Sequence, residues 1–185
     1  MVTRKSSSKS AAGNKSSATT SSAPMNDRED NDAIDLLLED HRRVDAMFEE
    51  YESAKESDDE GEKLERVEAI CMELTIHAAI EEEIFYPAAR EALGEEGADV
   101  LDEATVEHTS IKDLVAQLAE AQPGDEMYDA KVKVLGEYVK HHVDEEEGQL
   151  FPQLRDAEFD AGNLAEEMID RKEQLRDELE SHAAA

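Results

Sequence analysis

The sequence predicts an all-α protein: an up-down-up-down four-helix bundle with an additional C-terminal helix and a disordered N-terminal tail. Three observations carry this. Apolar residues recur at helical spacing from Asn31 onward, at intervals of three and four. The composition is rich in Ala, Glu, Leu, Lys and Asp, with no Trp, four Pro and eight Gly, which favours helices. Finally, one chemical pattern occurs twice. His77-Ala-Ala-Ile-Glu81 has Pro87 ten residues after the His, and His142-Val-Asp-Glu-Glu146 has Pro152 at the same offset. Each follows a lone His preceded by an acid and trailed by an aliphatic: Asp40-His41-Arg-Arg-Val44 and Glu107-His108-Thr-Ser-Ile111. The separations are 36 residues from His41 to His77 and 34 from His108 to His142, so the repeat reads as a duplicated helical hairpin.

Residues 1–30 form a basic Ser/Ala-rich tail. Up to Pro24 it carries Arg4, Lys5, Lys9 and Lys15 and no acid, and it lacks the apolar area to offset ordering entropy. It resembles an organelle transit peptide in composition but lacks amphipathicity; contact with DNA, lipid or the acidic bundle is the functional alternative to a bland flexible tail. The bundle spans 31–158. Its first helix runs from about Asp32 to Ala54 with the stripe Ile34, Leu37, Leu38, His41, Val44, Phe48 and Tyr51. After the turn at 57–61, a second helix carries Leu64, Val67, Ile70, Leu74, His77, Glu81, Ile84 and Phe85, with Pro87 expected to kink it or end its regular part near Tyr86. Gly94 and Gly97 bracket a turn. The third helix carries Leu101, Ala104, His108, Ile111, Val115 and Leu118, and Gln122-Pro123-Gly124-Asp125 breaks it, with Asp125 as the expected N-cap of the fourth. That helix carries Tyr128, Val132, Leu135, Val139, His142, Glu146 and Leu150. Residues 159–185 supply the C-terminal helix, expected outside the bundle or at a subunit contact. Short connections make neighbours antiparallel.

The formal net charge of −30 argues against nucleic acid or an anionic membrane as a partner of the folded part. A single Cys71 excludes an intrachain disulfide and fits a reducing cytoplasm; its apolar neighbours read it as a buried, inert thiol. No apolar run approaches a membrane span, and no signal-peptide core is present.

Phase decides the chemistry. His41, His77, Glu81, His108, His142 and Glu146 each fall on the apolar stripe of their helix. A carboxylate buried there without a partner is heavily penalised. His and Glu at i and i+4 share one helix face, so two Glu among four His aimed at one core make sense around a metal centre. Taken singly, each His reads more readily as a hydrogen-bonded core residue than as a ligand; the repeated set reads as ligands. The mixed imidazole and carboxylate shell suits iron or manganese better than zinc. Glu82, Glu83, Glu145 and Glu147 read as the solvated face, and His141, about 100° round from His142, is left out of the site. Asp40 and Glu107 read as surface charge or as orienters of the ligands.

The combined run of Asp40-His41, His77-x-x-x-Glu81-Glu82-Glu83-x-x-Tyr86-Pro87, Glu107-His108 and His142-x-x-x-Glu146-Glu147-x-x-x-Phe151-Pro152 resembles the hemerythrin-like HHE cation-binding domain, over about Ile34 to Ala157. The resemblance implies two iron ions in a non-haem, carboxylate-bridged centre. His41, His77, His108 and His142 would be terminal ligands, and Glu81 and Glu146 the bridging carboxylates. Two positions depart from the oxygen carriers of that family: Ala104 stands where they have a His, and Glu146 follows its His by four residues where they place an Asp at five. The set is closer to the bacterial HHE branch.

Three functions follow as expectations. The first is a di-iron protein that binds or reacts with dioxygen, peroxide or nitric oxide in sensing, scavenging or storage. The second is a catalase- or peroxidase-like enzyme using the open position implied by Ala104. The third is a metal-free helical interaction module. Tyr138, one turn before His142, is a candidate donor to a bound oxygen species, with packing as its alternative. The ferritin-type Glu-x-x-His is absent at all six His, as is His-Glu-x-x-His.

Overall fold

The computed structural model describes residues 32–57, 59–157, 159 and 161–183; the basic tail lies outside them. The helices are α1 (Ala33–Ser57), α2 (Glu60–Ile80), α3 (Tyr86–Leu93), α4 (Ala98–Ala119), α5 (Tyr128–Glu145), α6 (Phe151–Asp156) and α7 (Gly162–Ala183). No strand occurs among the described residues, and none of their helices is long and apolar enough to cross a membrane.

Cross-helix pairs fix the directions. Glu50–Arg66, Arg43–Glu73 and Asp40–His77 run in opposite senses along α1 and α2. Glu82–His108 and Arg90–Asp102 do the same between the second and third bundle helices, and Tyr51–Asp129 and His41–Glu147 between the first and fourth. The result is an up-down-up-down bundle, with α7 laid along α1 and α2. Its pairs Arg176–Glu73 and Arg171–Glu83 run antiparallel to α2.

The core has two apolar clusters. One gathers Leu37, Ile80, Phe85, Leu101, Leu150, Leu154 and Met168; the other gathers Val44, Tyr51, Val67, Ile70, Ile111, Val132 and Leu135. On every bundle helix the His falls between the two sets, with Glu81 and Glu146 one turn further along theirs, so a polar layer divides the core.

Two local features differ from the helix pattern read in the sequence. The regular part of the helix ends at Ile80, before Tyr86, and Pro87 does not stop the chain from remaining helical. α2 passes through a π-helical segment, Glu81–Phe85, and α3 continues to Leu93. The Tyr86 N–H donates to the carbonyl of Glu81, five residues back. The wider turn gives room where a proline ring would clash with the carbonyl four residues before it, and α3 restarts with Pro87 in its first turn, where a missing N–H costs little. The second half repeats the device: Glu146–Leu150 is π-helical, the Phe151 N–H donates to Glu146, and Pro152 opens α6. Asp125 is not the N-cap of α5, because Met127 holds that place. Asp125 Oδ2 instead accepts from the Gln122 N–H at 2.9 Å, closing the preceding turn. At α2 the cap is Asp59, accepting from Gly61 and Glu62 N–H, so Gly61 lies in the helix rather than before it.

Candidate metal centre

All six residues singled out in the sequence converge. His41 comes from α1, His77 from α2, His108 from α4 and His142 from α5, while Glu81 and Glu146 open the two π-helical segments. All six are buried, none more than 7% exposed. Glu81 Oε2 lies 3.2 Å from Nε2 of both His77 and His108. Glu146 Oε2 lies 3.3 Å from Nε2 of His41 and 3.5 Å from Nε2 of His142. Each carboxylate thus stands between two imidazoles of different helices. The donor atoms form two overlapping groups: His41, His77, Glu81 and Glu146 in one, and Glu81, His108 and His142 in the other.

Behind each imidazole stands a further carboxylate. Nδ1 of His41 is 2.9 Å from Glu147, that of His108 is 3.0 Å from Glu82, and that of His142 is 2.9 Å from Glu107. Asp40 is 3.6 Å from Nδ1 of His77. Such partners fix the ring orientation and leave Nε2 free to ligate. Glu82 and Glu147 are therefore not merely solvated face, and Asp40, 4% exposed, is not surface charge. Glu83 pairs with Arg171. Glu145 and the exposed His141 join Glu107 in a partly exposed group that meets the buried layer only through the contact of Glu107 with His142.

The donor set fits a cation. Nε2 of His41, both ring nitrogens of His77, both oxygens of Glu81 and Oε2 of Glu146 are buried without a hydrogen-bond partner. Orphaned buried polar atoms are costly, and here all but Nδ1 of His77, which faces Asp40, belong to one buried layer. Electrostatics points the same way. Burial acts against a charged His77, but the Glu81 carboxylate and then Asp40 outweigh it and raise its pKa to about 10. His142 is also raised against burial, by Glu146 and Glu107. Burial opposes ionisation of Glu81, yet His77 and His108 hold it well below the usual carboxylate range. Without a metal, protons supply the positive charge that the two carboxylates demand.

A family profile described as Hemerythrin HHE cation binding domain matches residues 32–154. The chain belongs to the hemerythrin HHE family. Among similar proteins, a DNA nickase of Nostoc sp. is 31% identical over 129 residues, covering 70% of this HHE chain and 35% of that protein. An uncharacterized hemerythrin-like protein of Schizosaccharomyces pombe is 26% identical over 120 residues, 65% of this chain and 58% of that one. The chain thus spans about a third of the first relative's length and less than two thirds of the second's. The crystal structure of a hemerythrin HHE cation binding domain-containing protein from Mycobacterium kansasii superposes with a TM-score of 0.65 at 23% identity, covering 80% of this chain and 88% of that one. That likeness extends to the fold.

Two tyrosines change places in the account of the HHE site. Tyr138 is 46% exposed and lines a surface depression with Glu107, Ser110 and His141, so it does not reach the buried layer. The tyrosine at the centre is Tyr86. Its hydroxyl donates to Glu146 Oε1 at 2.9 Å and lies 3.4 Å from Nε2 of His108, over whose ring it stacks. Burial, then the charges of Glu81 and Glu146, push its pKa well above 10, which keeps the proton on the oxygen. Its place just before a proline, matched by Phe151 before Pro152, was the available signal. Phe151 stacks on His41 as Tyr86 does on His108. Ala104 is packed in the apolar cluster.

Proposed function

We propose that the chain holds two iron ions in a non-haem, carboxylate-bridged centre and binds or reacts there with dioxygen, peroxide or nitric oxide, in sensing, scavenging or storage. His41, His77, His108 and His142 would be the terminal ligands, and Glu81 and Glu146 the shared carboxylates. The observation that carries this reading is the set of buried, partnerless donor atoms on His41, His77, Glu81 and Glu146. A metal-free interaction module would leave them unpaid.

A bound ferrous pair supplies the electrons for dioxygen or peroxide chemistry. The chain supplies the setting. Val44, Leu74, Ala78, Ile111, Val139 and Val143 line a small cavity against the four imidazoles, a site suited to a small ligand. Glu147, Glu82 and Glu107 hold three of the rings in place. Tyr86 keeps a proton beside Glu146 and His108. That proton favours a second reading, a peroxide-decomposing catalase- or peroxidase-like enzyme, since cleaving an O–O bond requires protons at the departing oxygen.

The test is to load the full chain with ferrous iron without air, count the iron, and titrate oxygen while recording the visible spectrum. Two irons per chain and a new charge-transfer band are expected, with His77→Ala losing at least one iron. The same variant should forfeit the stability that binding confers, about 2.7 kcal/mol at a hundredfold excess over Kd. Wild-type protein without iron, or iron with no response to oxygen, peroxide or nitric oxide, would remove this reading. Reversal on deoxygenation would indicate storage, and irreversible oxidation sensing or peroxide chemistry.

A further inference from the structure

α7 lies beyond the matched segment 32–154, yet one of its side chains reaches the ring of candidate ligands. Lys172 Nζ stands 2.5 Å from one oxygen of Asp40 and 2.7 Å from the other. Lys172 is itself largely covered, with its side chain 12% exposed. Both oxygens of the carboxylate behind His77 are thereby engaged from outside the bundle. The geometry at His77 registers this. Asp40 stops 3.6 Å from Nδ1, beyond hydrogen-bond distance, whereas the other three rings meet their carboxylates at 2.9 to 3.0 Å.

A lysine alone does not explain the gap. Lys112 grips both oxygens of Glu82 at 2.6 Å, and Glu82 still reaches His108 at 3.0 Å. The difference is that Glu82 is partly exposed and one methylene longer, whereas Asp40 is buried and short, and cannot serve both partners fully.

We propose that Lys172 is a positioning residue for the metal centre: by holding Asp40 it withholds a full hydrogen bond from His77 Nδ1, so that α7 sets the donor strength of that ligand. This rests on the metal reading above. A carboxylate bonded to the far nitrogen makes an imidazole a stronger donor, which favours the ferric over the ferrous state. While α7 is docked, His77 is the most weakly backed of the four rings. Displacing α7 turns Asp40 toward His77 and shifts the centre toward ferric iron.

The experiment uses the full chain and three variants. Lys172→Met removes the charge and keeps the bulk, Lys172→Arg restores a bidentate cation, and Arg176→Gln breaks the α7 pair with Glu73, which leaves Asp40 alone. In the metal-free protein, the His77 Nδ1–H resonance should move downfield in Lys172→Met, return in Lys172→Arg and stay put in Arg176→Gln. In the iron-loaded protein, the reduction potential should fall only in Lys172→Met, with ferric preference rising about tenfold, or about 59 mV for one electron. An unmoved His77 resonance in Lys172→Met overturns the inference, as does an equal shift in Arg176→Gln, which would reduce α7 to a brace. If Lys172→Met fails to fold, Lys172→Gln carries the same expectation. Wild-type protein that binds no iron defeats the metal reading, while the metal-free resonance still decides whether Lys172 restrains Asp40.

Discussion

Tyr86 and Phe151 occupy equivalent places in the two halves, each ring covering a histidine, and a single hydroxyl separates them. That oxygen breaks the repeat where it matters, since Glu146 Oε1 gains a donor and both oxygens of Glu81 have none. Tyr86→Phe keeps the stack on His108 and removes the donor. The metal-free variant should lose about 1–3 kcal/mol by urea unfolding, keep the wild-type iron content, and show an altered visible spectrum with oxygen or peroxide. Protonation offers a second handle. His77 is raised to about 10 from its ordinary 6.5, so the stability it contributes is present in full below pH 6.5 and lost as pH climbs through 10. Glu81 is lowered from 4.5, so its contribution is present above 4.5 and lost on acidification. The Tm of the metal-free chain should therefore decline from pH 6.5 to 10, whereas iron binding, which must displace the His77 proton, should strengthen over the same interval. A flat metal-free Tm across that range would contradict this.

At the level of elements, every candidate ligand was legible, because ligation demands that a polar residue sit in the phase of an apolar stripe. Glu82 and Glu147 were not legible. On their own helices they follow a ligand by one residue and turn away from the stripe; their partners, His108 and His41, belong to other helices. Periodicity within one segment carries no information about a bond across two. The π-helical segments were hidden because apolar pairs, Phe85-Tyr86 and Leu150-Phe151, stand at their ends and satisfy the stripe in either phase. Gly94 shows the opposite case. Its φ of 58° with ψ of −135° belongs to a region that side chains avoid, and a Gly between two helices signals it. Gly94→Ala has open space around it, so its cost is conformational: about 1–3 kcal/mol by thermal or urea unfolding, with no loss of iron, since the turn touches none of the ligands.

For the whole molecule, 49 acidic against 19 basic residues produce a surface that repels itself. An exposed pair such as Arg66–Glu50 offsets only about 0–1 kcal/mol. Raising ionic strength from 0.01 to 0.15 M shortens the screening length from about 30 to about 8 Å. The repulsion should weaken more than the pairs do, giving about 2–4 °C in Tm per kcal/mol gained; a Tm that falls with added salt would show the pairs dominant. The charge and the bundle could be read from the chain, as could a place for α7 outside it, but not the face it packs on, because its stripe is sparse and several of its anchors are salt links to another helix.

The paired π-helical segments carry one more consequence. Each spends a residue to bring Glu81 or Glu146 and the aromatic that follows it onto the same core. Wound as a regular helix, the same residues would leave Tyr86 and Ala89, or Phe151 and Leu154, about 100° out of the core. Each wide turn therefore absorbs one residue without turning the helix that follows, so the chain holds a single buried face across a stretch whose spacing alone would break it.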